Sequence, residues 1–119
     1  MSRSVPIVGR KVTDVGGQYA IGISLGGDAF ILIEDPIEGE VNGRPFRVDP
    51  RDGCPDLEKI ASLLMGRTVE SAGYDPGYTL RISFDQGVEM RVVPNGEGYD
   101  SWSVRYPPDH ILIGNSAFI

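Results

Sequence analysis

Cys54 and His110 each occur once in the chain, and a thiol beside an imidazole is the simplest nucleophilic pair a protein can build. The imidazole takes the thiol proton and the thiolate attacks. The local sequence speaks against that use. His110 stands in "PPDHILIG", at the head of an apolar run, and Cys54 is followed at once by Pro55, which suits the start of a helix. A half-buried cysteine and a strand-edge histidine are the expectation.

Asp49, Asp52 and Asp56 form an acidic stretch, "DPRDGCPD", of a kind that can hold calcium. Its spacing departs from the 1, 3, 5 ladder of a calcium loop, and Arg51 falls among the would-be ligands. Turn-forming and helix-start aspartates account for it better. One cysteine and one histidine do not make a zinc site. The glycines at 22, 26 and 27 precede a strand rather than a helix, so they are no dinucleotide fingerprint, and neither a Walker sequence nor G-x-S-x-G is present. Tyr99 and Trp102 could stack on a ligand, but Trp102 continues an inward alternation with Val104 and Tyr106 and reads as core. The expectation is therefore no catalytic residue, no metal, no cofactor and no enzyme, the alternative being a small hydrolase or transferase using Asp and Glu, or Cys54 with His110.

The charge balance narrows the partners. The chain has 11 basic and 17 acidic residues, a net charge of −6, and the basic ones are scattered, with only Arg10 and Lys11 adjacent. Phosphate backbones and anionic membranes call for clustered lysine and arginine, so neither nucleic acid nor a membrane is expected. No apolar stretch resembles a signal peptide or a membrane span, and one cysteine forms no intramolecular disulfide. Cytoplasm is the expected compartment. At 119 residues the chain is expected to be a single domain, residues 1–119.

The elements come from a repeat. Gly9-Arg10-x-Val12 aligns with Gly66-Arg67-x-Val69, and Tyr19-x-Ile21-x-Ile23-Ser24-Leu25 aligns with Tyr78-x-Leu80-x-Ile82-Ser83-Phe84. The second copy has two extra residues around Asp75-Pro76. Both copies alternate with period two, turn at Gly26-Gly27-Asp28 or Asp85-Gln86-Gly87, and run on into Ala29–Ile33 or Val88–Val93. Each copy, about 9–33 and 66–93, is thus a three-stranded antiparallel meander. Between them, "IEGEVNGRPFRV" predicts a hairpin with Asn42-Gly43 in a type I′ turn. "CPDLEKIASLLMG" predicts one short helix, about 55–65, with Leu57, Ile60, Ala61 and Leu64 on one stripe and Gly66 past its end. "SWSVRY" and "ILIGNSAFI" add further strands after the second copy.

A lone meander has one apolar face and nothing to bury it on, so two copies supply two halves of a core. The fold class is mainly β, with an α+β element: two pseudo-repeated antiparallel meanders as a curled sheet or a two-layer sandwich or roll, and one helix. With the tandem Gly-Arg-x-Val segments, Asp49-Pro50-Arg51-Asp52 before the helix and Tyr99-x-x-Trp102 near the end, the chain resembles a family of small, mostly actinobacterial proteins of unknown function. The resemblance runs from about Val8 to Ile119 and implies no activity. In size and acidity the chain also looks like the immunity proteins of bacterial toxin systems.

The copies differ on the face that their core pattern leaves over. The second carries Thr79, Arg81, Ser83, Glu89 and Arg91, which reads as solvated; the first carries Ala20, Gly22, Ser24, Phe30 and Leu32, which reads as covered. "EDPIEGE" follows, with Glu34, Asp35, Glu38 and Glu40. Either the 37–48 hairpin or the helix folds over Phe30 and Leu32, as the helix stripe favours by needing a surface, or another chain does. In the second case Phe30 and Leu32 form an apolar centre rimmed by the four acids. That suits a basic protein partner or a second copy of the chain.

Overall fold

The computed structural model describes residues 3–53, 57–94 and 100–114. Two antiparallel sheets face each other and do not close into a barrel. The strands are β1 (Arg3–Ser4), β2 (Val12–Gly17), β3 (Ile21–Leu25), β4 (Ala29–Ile33), β5 (Ile37–Val41), β6 (Arg44–Val48), β7 (Val69–Tyr74), β8 (Leu80–Phe84), β9 (Val88–Val92), β10 (Trp102–Tyr106) and β11 (His110–Gly114). Helix α1 spans Leu57–Leu64. The first sheet has the order β11-β10-β4-β3-β2, the second β1-β7-β8-β9-β5-β6.

The repeat is real in three dimensions. β2-β3-β4 and β7-β8-β9 have the same order and register: Val12 pairs with Leu25 and Ile23 with Ile31 in one, Val69 with Phe84 and Ile82 with Met90 in the other. Each first strand carries a bulge at the same place, between Val12 and Asp14 and between Val69 and Ser71. The extra residue lets Val12 and Val15, three apart, both face inward. The turns match too. Gly27 and Asp28 in one copy, Gln86 and Gly87 in the other, all have positive φ, as a turn matched to strand twist requires.

The Gly-Arg-x-Val motif is where the copies cross. The Gly9 amide donates to the Val69 carbonyl at 2.8 Å, and the Gly66 amide donates to the Val12 carbonyl at 3.0 Å. The Val12 amide donates to the Arg67 carbonyl at 2.8 Å, and the Val69 amide donates to the Arg10 carbonyl at 2.9 Å. These are two pairs of equivalent bonds, related by a pseudo-two-fold axis between the motifs, where Lys11 bridges Thr68. Both glycines sit at positive φ, +86° for Gly9 and +78° for Gly66, where a side chain would strain the backbone. Each arginine reaches its own copy's turn: Arg10 Nη1 donates to the Gly26 and Gly27 carbonyls, Arg67 Nη1 to Gln86 Oε1.

The inward faces meet in one core, with Ile21, Ile23, Ile31 and Ile33 from the first sheet and Leu80, Ile82, Phe84 and Met90 from the second. Ile60 and Leu64 of α1 are fully buried in the same core, so the helix stripe is used there. Trp102 is 1% exposed; its indole N–H donates to the Tyr78 carbonyl at 2.7 Å, and its ring tilts against Tyr74. The β5–β6 hairpin turns at Asn42 and Gly43, both at positive φ. It pairs through β5 with β9 and so extends the second sheet.

Two positions depart from the expected alternation. Tyr19 is 67% exposed, because the turn between β2 and β3 holds residues 18–20 and the strand begins only at Ile21. Thr79 is buried rather than solvated: it lies in the turn before β8, where its amide donates to Asp75 Oδ1. Cys54, Pro55, Asp56, Tyr99 and the strand expected after Gly114 lie outside the described residues.

Candidate functional site

The outward side of the first sheet forms a groove of about 580 Å³. Its shape follows from side-chain height along the strand register. Gly16, Gly22 and Leu32 lie in one cross-strand row, and Asp14, Ser24 and Phe30 in the next. Leu32 and Phe30 stand tall on β4, while Gly22 and Gly16 offer bare backbone on β3 and β2, so the surface steps down toward the β2 edge. Phe30 leans over Gly22: a Cβ built there would fall 2.7 Å from Phe30 Cζ. The residues of the turn, Gln18, Tyr19 and Ala20, close one end.

Two carboxylates line the groove, Asp14 and Glu34. They stand at diagonal corners: Asp14 on β2 in the Phe30 row, Glu34 one residue past the end of β4. The Glu34 amide donates to the Ser101 carbonyl at 2.9 Å, which fixes that corner's backbone. No histidine, cysteine, lysine or arginine lines the groove, so its walls are apolar and its field is negative.

The expectation that the hairpin or the helix folds over Phe30 and Leu32 is not met. The hairpin extends the other sheet, the helix stripe is buried in the core, and both residues, half-buried, line the open groove. The structure brings Phe30, Leu32 and Glu34 together and separates the remaining acids from them. Asp35 is fully buried. Glu38 and Glu40 lie on β5, opposite Arg91 and Glu89 of the second sheet. Glu38 is bound there by Arg91 at 3.5 Å and Arg47 at 3.9 Å.

Sequence reasoning missed Asp14, Gln18, Tyr19, Gly16 and Gly17. The signal was available in the repeat: Asp14 aligns with Ser71 and Gly16 with Gly73, so the acid is peculiar to the first copy.

The other candidates resolve into structural roles. The Asp49 side chain accepts from the Arg51 amide at 3.0 Å and caps the 3-10 turn Pro50–Asp52. Hydrogen bonds from the Arg51 guanidinium, at 2.9 Å through both Nε and Nη2, hold the Asp49 carboxyl below its usual pKa. Asp52 is exposed in that turn. His110 is exposed at the start of β11, with its ring stacked on Tyr106 at 5.0 Å. Among the described residues no three His, Cys, Asp or Glu side chains converge as a metal site, and no helix is long and apolar enough to cross a membrane.

A family model matches residues 4–114. The chain belongs to the family of unknown function DUF6188. The match takes in both meanders, the helix and the crossing of the two Gly-Arg-x-Val motifs, so the groove of this DUF6188 protein lies wholly inside the family region. No curated protein and no solved structure matches the chain.

Proposed function

We propose that this protein is a non-enzymatic, cytoplasmic protein-binding module, and that the groove on its first sheet is the contact surface. One observation carries the reading. Two copies of the same meander present opposite outward faces. The second bears Arg81, Arg91 and Glu89 next to Glu38 of β5, largely compensating one another, and the first bears an open apolar groove with two carboxylates. An exposed apolar concavity on a small acidic domain is a binding feature, with its charges steering encounter and its apolar centre supplying affinity. A basic protein partner fits the sign of that field, and immunity-type neutralisation of a bacterial toxin is the most concrete role. Self-association is the second reading. It is favoured by Ile111 and Arg105, exposed on the same outward face beside β4, which would let two faces pair acid to base.

The test combines calorimetric titration against the product of the adjacent coding sequence with sedimentation velocity of the protein alone. The wild type is expected to bind that product saturably, more weakly as salt rises, and Leu32→Arg is expected to lose binding. Concentration-dependent dimerisation abolished by Leu32→Arg would favour the second reading. Binding unaffected by Leu32→Arg, or a wild type that neither binds nor dimerises, defeats the groove as a contact surface.

A further inference from the structure

We infer that the groove receives an arginine side chain from a basic protein partner, with Glu34 as acceptor of its guanidinium; the inference rests on the binding role proposed above. The second copy shows what the same backbone carries where its outward face bears cations. Arg81 stands at the position equivalent to Gly22 and Arg91 at that equivalent to Leu32, and Arg91 donates toward Glu38 at 3.5 Å. In the first copy the arginine positions are a glycine and a leucine, and two acids, Asp14 and Glu34, stand where the second copy has Ser71 and Val93. The face of the first copy has therefore exchanged two cations for two acids, neither of which, unlike Glu38, is in an ion pair among the described residues.

The lining chemistry suits arginine. The Leu32 side chain and the Phe30 ring, which covers the Gly22 backbone, offer an apolar track for a methylene stem. Tyr19, 67% exposed, supplies an aromatic face on which a planar guanidinium stacks better than an ammonium. Glu34 is level with the Tyr19–Ala20 turn, one residue past the Ile21–Ile33 pair, and both Tyr19 and Glu34 line the groove. Strand geometry puts Asp14 roughly 16 Å away, beyond the same guanidinium's reach, where it adds field or meets a second basic residue. The nearby cations do not compete. The Arg10 guanidinium is held by the Gly26 and Gly27 carbonyls, and Arg105, opposite Phe30 on β10, does not line the groove.

The test titrates the isotope-labelled full chain with acetyl-Gly-Arg-Gly-amide, its citrulline analogue and its lysine analogue, following backbone amide shifts. The arginine peptide is expected to move Ala20, Gly22 and Glu34 while sparing Gly73, Arg81 and Arg91, and the citrulline peptide to move none. Glu34→Gln is expected to weaken the arginine peptide about two- to five-fold, and Asp14→Asn less. Equal response to citrulline or lysine, or no response in the groove, overturns the assignment. If Leu32→Arg abolishes partner binding while the arginine peptide leaves the groove unmoved, the binding role stands and the arginine assignment falls. If the peptide binds as expected and no protein partner does, the reverse holds.

Discussion

Leu32→Arg tests directly whether the outward face of the first sheet is open. Leu32 is half-buried and lines the groove, and the equivalent position of the second copy already is an arginine, Arg91. Fully burying a leucine is worth about 1.5–3 kcal/mol, so a half-buried one puts roughly 1 kcal/mol at stake. The arginine stem covers part of the same surface and its head reaches water, which lowers the cost further. A domain of 119 residues loses about 4 °C of melting temperature per kcal/mol, so the shift should stay within about 4 °C. Ile31→Arg is the control. Ile31 is 0% exposed on the inner face of the same strand, one residue away, and a charge there costs several kcal/mol, a large part of a typical domain's stability. Thermal melts by circular dichroism at neutral pH read both. A fall of more than about 10 °C for Leu32→Arg would mean that this face is covered, and the groove reading would be refuted.

Two further predictions concern the frame. Gly9→Ala and Gly66→Ala should each destabilise by about 1–2 kcal/mol, because both residues are at positive φ while the space around a new Cβ is free or in ordinary contact, so the cost is conformational rather than steric. Denaturant midpoints check this, and a neutral result at both would remove the crossing motifs as a structural device. Asp49→Asn should lower the melting temperature at pH 7. The folded-state pKa of Asp49 is depressed, so its stabilisation is present above the unfolded value of 3.8 and is lost as pH falls through the lower folded one. The gap between variant and wild type should therefore close on acidification, and a gap constant down to pH 2 would contradict the role of the Arg51 contact.

The sequence by itself determined the local architecture. Period-two alternation identified the strands of both meanders, Asn42-Gly43 identified a turn needing two positive φ angles, and the Leu57, Ile60, Ala61 and Leu64 spacing identified helix α1. These are readable because each depends on a few consecutive residues and their own steric limits. The repeat also showed that the two outward faces differ, which is how Phe30 and Leu32 came into view. What only the tertiary structure decided is which edge receives each element. Alternation tells a strand which of its sides is apolar, but backbone hydrogen bonds to a neighbouring strand are the same whatever the side chains are. The β5–β6 hairpin therefore carried no local mark that it would pair with β9 rather than fold over β4. That single pairing moved Glu38 and Glu40 to the other sheet and left the groove open. The same holds for Asp14. It lies twenty residues before Glu34 in the chain, and register across β2, β3 and β4 is what puts both acids on one groove.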